Sequence, residues 1–141
     1  INDNYGHHVG DAVLCGVADA LRGAVRKDDL VCRLGGEEFA AICMGADDAA
    51  ARRVAERVRG AIQDKVMLQG PRYAGLRCTV TVGVSHCFGD EASLERAMQD
   101  ADAALYRGKH AGRNRVEWAS PVGDAPPGSA PMKAEADVAL T

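Results

Sequence analysis

Two adjacent carboxylates, Glu37 and Glu38, follow two glycines in the stretch Leu34-Gly35-Gly36-Glu37-Glu38-Phe39. Glycine has no side chain, so phosphates or a sugar can come close to the backbone beside the acids. A carboxylate placed there can hold a divalent cation on those phosphates. The same residues also suit a solvated turn, because glycine and acidic residues are common in turns. Taken alone, the stretch is compatible with both.

The elements around it set the context. Leu30-Val31-Cys32 and Phe39-Ala40-Ala41-Ile42-Cys43-Met44 are short apolar runs suited to strands, so Gly35 and Gly36 read as the primed turn of a β-hairpin. Upstream, a polar loop over residues 2–11 leads into a helix. Its face is Val13, Leu14, Val17, Ala18, Leu21, Ala24 and Val25, and Asp11 stands at its start, where a carboxylate can cap it. A second helix begins at Asp47-Asp48 and carries Ala51, Val54, Ala55, Val58 and Ile62 on one side. Leu76, Cys78, Val80, Val82 and Val84 then alternate with Arg77, Thr79, Thr81, Gly83 and Ser85, the period of a strand. A third helix is expected from Ser93 as N-cap, striped by Leu94, Ala97, Met98, Ala101 and Leu105, and loosened by Gly108 and Gly112. Val116 and Trp118 suggest a short final strand. With one strand ahead of the first helix, this order completes a β-α-β-β-α-β core of ferredoxin-like type. The fold class expected is therefore α+β, a palm-type core with an antiparallel-rich sheet and flanking helices.

From Ala119 onward the composition changes. Four of the five prolines fall between Pro121 and Pro131, among Ala, Gly and Ser. Residues 119–141 are expected to be a disordered tail, and residues 1–118 the folded domain. The tail holds three acids against one lysine, so −2 of the net charge of −3 resides there. A near-neutral body argues against nucleic acid as a partner, since that needs a basic surface. No apolar run reaches the length of a membrane span. The five cysteines, Cys15, Cys32, Cys43, Cys78 and Cys87, form no C-x-x-C pair. They read as buried small hydrophobes in a reducing, cytoplasmic compartment.

Several separated motifs occur together and in order: Asn2, the Tyr5-Gly6-His7 loop, Gly10-Asp11, Arg26-x-x-Asp29, residues 33–39, Thr81-Val82-Gly83-Val84-Ser85, and Lys109-x-x-Gly112-Arg113-Asn114. Over residues 1–118 the chain resembles the GGDEF family of diguanylate cyclases, in the GGEEF form of the signature. The resemblance implies condensation of two GTP into cyclic di-GMP with release of pyrophosphate, by two domains that face each other as a homodimer. It implies Mg²⁺ or Mn²⁺ as cofactor, Glu37 as a metal ligand, and Glu37 with Glu38 beside it as the catalytic residues. Asn2 and Asp11 match the guanine readers. A carboxylate suits the N1–H and exocyclic amine of guanine, which adenine lacks as a donor pair. Lys109 and Arg113, four apart at a helix end, match the phosphate binders. Arg26 and Asp29 begin nine residues ahead of Gly35, the offset of the product-inhibition site, and Arg57 matches the further arginine that joins it.

The family's first strand, a D-x-D-x-F-K run with a second metal-binding acid, would lie just upstream of Ile1. Without it, neighbouring strand edges would be exposed, so residues 1–141 alone are expected to be an N-terminally truncated fragment, poorly stable and inactive. Two rivals stand beside the cyclase: a catalytically inactive domain that binds cyclic di-GMP or GTP to regulate a partner, and another palm-type nucleotide enzyme without the product site. A membrane anchor elsewhere in a longer protein is compatible with all three.

Overall fold

The computed structural model describes residues 7–64, 76–87, 90–119 and 130–140. Three helices, α1 (His7–Ala24), α2 (Asp48–Asp64) and α3 (Glu91–His110), accompany five strands, β1 (Leu30–Gly35), β2 (Glu38–Cys43), β3 (Leu76–Val84), β4 (Val116–Trp118) and β5 (Ala130–Leu140). The strands form one sheet in the order β1-β2-β5-β3-β4. Three of its pairings are antiparallel, and β3 with β4 is parallel. The fold is α+β with an antiparallel-rich sheet, as the element order implies.

Strand β3 is buried on both faces, which is why its second half carries no charge. Cys78, Val80, Val82 and Val84 belong to one core with Val13, Val17 and Leu21 of α1 and Val54, Val58 and Ile62 of α2. The alternate residues meet α3. A Cβ on Gly83 would lie 2.0 Å from the Ala101 carbonyl oxygen and 2.6 Å from the Leu105 nitrogen, so only glycine lets α3 settle this closely on the strand. Ser85 fastens the same contact by donating its hydroxyl to the Ala97 carbonyl.

The helix starts differ from expectation at two places. Helix α1 begins at His7, so Asp11 lies inside it and is no cap. Helix α3 is capped by Asp90, whose carboxylate accepts the Ser93 N–H at 2.6 Å, rather than by Ser93. Asp90 sits one turn earlier and reaches the orphan amide with a charged acceptor, the stronger of the two caps.

The largest departure is β5. Residues 130–140, expected to be disordered, form a strand between β2 and β3 and pair with both. The edges of β2 and β3 that an absent first strand would leave open are hydrogen-bonded here. A period-2 pattern underlies this: Met132, Ala134, Ala136, Val138 and Leu140 alternate with Lys133, Glu135 and Asp137. Proline and alanine, poor strand formers, mask it. Pro131 sits where its missing N–H matters least, at the end of the strand, in register with β2 alone.

Candidate functional site

The hairpin β1–β2 is an edge of the sheet. Its register runs from Leu30 opposite Ile42 to Gly35 opposite Glu38, with an irregularity between Arg33 and Gly35. Gly36 and Glu37 form the tip. Gly36 has φ +52°, a left-handed conformation that glycine adopts without strain. Arg33 holds the tip in place by donating from Nε at 3.0 Å and Nη2 at 2.6 Å to the Gly36 carbonyl. Glu37 is thus presented to solvent on a pinned turn, and Glu38 is half-buried at the start of β2.

Between this hairpin and α1 lies a cavity of about 390 Å³. Helix α1 supplies Asp11, Leu14, Cys15, Ala18 and Arg22, which fall on one face by their three- and four-residue steps. The hairpin supplies Val31, Cys32, Arg33 and Phe39. The lining is mostly apolar and includes one acid and two arginines, and the two acids of the turn stand at the end of the strands that line it. That arrangement suits a flat, partly apolar ring with an anionic extension. Asp11, freed from capping, is exposed on the cavity side of its helix. Asn2 lies outside the described residues.

Sequence reasoning did not single out Cys15, Arg22, Cys32 or Arg33. Asp11, Cys15 and Arg22 stand at steps of four and seven, so a polar stripe off the apolar face of α1 was legible. The expectation that all five cysteines are buried holds for Cys43, Cys78 and Cys87 only. Cys15 is two residues from both Val13 and Val17, hence on the far side of the helix from them. Cys32 lies on the edge strand. Both are exposed.

Lys109 and Arg113 do not share a helix face. Helix α3 ends at His110, and Arg113 follows the Gly112 turn with φ +58°, its N–H bonded to the Gly108 carbonyl at 3.0 Å. Lys109 is half-buried in the last helical turn and Arg113 is exposed beyond it. The glycine stop overrides the four-residue step from which their common direction was expected.

Arg26, Asp29 and Arg57 do converge, around the C-terminal end of α1. Asp29 accepts the Arg26 N–H at 2.7 Å and the Met44 N–H at 3.0 Å, tying the α1–β1 turn to the end of β2. Arg57 of α2 donates through Nε at 2.8 Å, and through Nη2, to the Ala24 carbonyl, a cation at a helix C-terminus. The Cys43 thiol reports the cluster: burial pushes it up to about 11, Asp29 pushes the same way, and Arg26 and Arg57 oppose. Arg26 itself is exposed.

No three His, Cys, Asp or Glu side chains come together as a metal cage among the described residues. Two neighbouring carboxylates on a glycine turn nonetheless fit Mg²⁺, which commonly takes one or two carboxylates and completes its shell with phosphate and water. No helix among the described residues is long and apolar enough to cross a membrane.

The family model for the diguanylate cyclase GGDEF domain matches residues 1–115. The diguanylate cyclase DgcM of Escherichia coli K12 is 44% identical over 117 residues, covering 82% of this chain and 27% of that protein. The GGDEF domain of DgcB from Caulobacter crescentus, solved in complex with c-di-GMP, superimposes with TM-score 0.74 at 32% identity, over 84% of this chain and 69% of that one. The active GGEEF domain of a diguanylate cyclase from Vibrio cholerae gives TM-score 0.74 at 29% identity, over 86% and 75%. The chain spans about a quarter to a third of the length of the curated relatives it matches.

Proposed function

Because this chain belongs to the GGDEF family of diguanylate cyclases, we propose that residues 1–118 act as a diguanylate cyclase domain that joins two GTP into cyclic di-GMP. The observation that supports this most directly is the cavity between α1 and the hairpin, with Asp11 on one wall and the Glu37–Glu38 turn at its end. In each of two steps the 3′-oxygen of one GTP bonds to the α-phosphorus of the other. The bond to the departing pyrophosphate breaks and the hydroxyl proton is lost. Two copies of the domain, each holding one GTP, would have to face each other for both steps.

Within one domain the residues divide the work. Asp11, with Asn2, reads the guanine edge. Phe39 and Leu14 supply apolar wall against the base. Lys109 and Arg113 meet the terminal phosphates from the end of α3. Glu37, with Glu38 beside it, would hold Mg²⁺ or Mn²⁺, which supplies charge to offset the phosphates and acidify the attacking hydroxyl. Arg26, Asp29 and Arg57 bind product and inhibit, Arg26 through its exposed guanidinium stacking on a guanine.

Glu37→Ala in the enzyme that carries this domain should lower cyclic di-GMP synthesis by at least ~10²-fold, the scale of losing one charge-stabilising group. Its thermal melt should be unchanged, since Glu37 is exposed. Mn²⁺ binding in the presence of GTP, read by electron paramagnetic resonance, should weaken in parallel. Undiminished synthesis would reject the metal role. The rival reading is a domain that binds cyclic di-GMP without turnover. Tight cyclic di-GMP binding with no synthesis by the unmutated enzyme would establish that rival.

A further inference from the structure

Helix α3 ends before Arg113, so the placement of that side chain has another cause. Gly112, Arg113 and Asn114 have φ +110°, +58° and +46°, three positive values in a row. Among the described residues, Arg113 and Asn114 are the two non-glycine positions with positive φ. A side chain disfavours that conformation, in asparagine less than in arginine, so such a turn persists where its surroundings over-determine it. The bond from the Arg113 N–H to the Gly108 carbonyl, 3.0 Å long, is one restraint.

The other comes from α2. Arg59 Nη1 donates to Gln63 Oε1 at 2.8 Å and to Asn114 Oδ1 at 3.1 Å. Asn114 Nδ2 donates to the same Gln63 Oε1 at 2.9 Å, which closes a ring of three side chains. A guanidinium only donates, so Arg59 fixes the orientation of both amides. Glu56 steadies Arg59 in turn, its carboxylate accepting from Nε at 2.9 Å. Arg59, Gln63 and Asn114 are all half-buried, where hydrogen bonds of a network are stronger than in open solvent. Asn114 closes the Lys109-x-x-Gly112-Arg113-Asn114 motif, yet no part of the chemistry assigned to the site falls to it.

We propose that Asn114, Gln63 and Arg59 are positioning residues for phosphate binding. Their ring locks the left-handed turn that presents the Arg113 guanidinium to the terminal phosphates of GTP, a role that rests on Arg113 as a phosphate binder. The ring joins α2 to the turn between α3 and β4, whereas Asp11 and the cavity belong to α1 and the hairpin. Its loss should therefore be felt by the phosphates and not by the base.

The test is isothermal titration of the full chain with GTP and with GMP, each with Mg²⁺. Gln63→Met keeps the length of the side chain and removes the acceptor that Arg59 and Asn114 share. It should weaken GTP binding about tenfold, the weight of one hydrogen bond to a charged group, and leave GMP binding unchanged. Asn114→Gly, which tolerates positive φ but cannot join the ring, should do the same. Gln63→Glu, which still accepts from both donors, should retain the affinity for GTP. Equal loss of GTP and GMP, the mark of a merely structural defect, would overturn the proposal, as would loss of GTP binding by Gln63→Glu to the level of Gln63→Met. Arg113→Ala separates this role from the assignment beneath it. If Arg113→Ala removes the preference for GTP over GMP and Gln63→Met does not, the positioning role fails and phosphate binding by Arg113 stands. If Arg113→Ala leaves that preference intact, the phosphate assignment fails and the positioning role falls with it.

Discussion

Asp29 and Arg26 are proposed for the same product site, yet the structure gives them unequal second duties. Both carboxylate oxygens of Asp29 hold backbone amides, of Arg26 and of Met44, whereas the Arg26 guanidinium is exposed. Arg26→Ala should therefore relieve inhibition of synthesis by added cyclic di-GMP with a stability change within ~0.5 kcal/mol. Asp29→Ala should relieve it and also cost about 2 kcal/mol in urea denaturation, the scale of losing charge-assisted bonds to partly buried amides. Equal stability of the two variants would remove the tie attributed to Asp29. Cys43 makes a separate prediction. Its thiol, raised from 9.0 to about 11 by burial and by Asp29, stays protonated in the folded state where the unfolded chain ionises. The stability it contributes is fully present below pH 9 and is lost as pH rises through about 11, a change of roughly 2–3 kcal/mol. Unfolding free energies measured between pH 8 and 11 should fall accordingly, and Cys43→Ala should flatten that slope.

At the scale of elements, the close seating of α3 on β3 depends on Gly83. Gly83→Ala would drive a methyl into the Ala101 carbonyl and the Leu105 backbone, neither of which can yield without moving the helix. A loss of about 3 kcal/mol is expected in chemical denaturation. Because Lys109 leaves from the end of that helix, weaker GTP binding should accompany it. Elements of this kind were legible beforehand wherever apolar periodicity was strong, as in α2, β3 and the hairpin. Boundaries were less so. Helix α1 gains its first turn over His7-His8-Val9-Gly10, a stretch whose glycine and histidines look like loop. The site was legible in part for the same reason. Gly35 and Gly36 announce a turn by residue type, and its tip falls one residue later, at Gly36 and Glu37, but the relative direction of Lys109 and Arg113 depends on where α3 stops. Cys15 and Cys32 show their exposure only once α1 is placed against an edge strand.

For the molecule as a whole, β5 decides whether the sheet is continuous. A chain ending at residue 119 would leave β2 and β3 with open edges in the middle of the sheet, where pairing with another chain is the ready outcome. Truncation there should abolish the cooperative melt and produce concentration-dependent association in sedimentation velocity, whereas residues 1–141 should melt cooperatively and remain dispersed. Matching melts for the two chains would show that β5 adds nothing. The masking of β5 by proline and alanine is the one large misreading of the sequence, and it concerns this scale alone, since composition-based expectations weigh residue types and not their alternation.

The middle strand of the sheet is also the last to be synthesised. Within the sheet, Phe39 and Val82 are bridged by Ala134, which stands opposite both, so that bridge waits on a segment roughly fifty residues beyond β3. During translation the hairpin and the β3–β4 pair can form locally, but the sheet cannot be completed until β5 emerges. Hydrogen-exchange pulse labelling during refolding should accordingly protect the β1–β2 amides before those that β2 and β3 share with β5. The walls of the proposed nucleotide cavity, α1 and the hairpin, are thus made first, and the strand that binds the two halves into one sheet arrives after them.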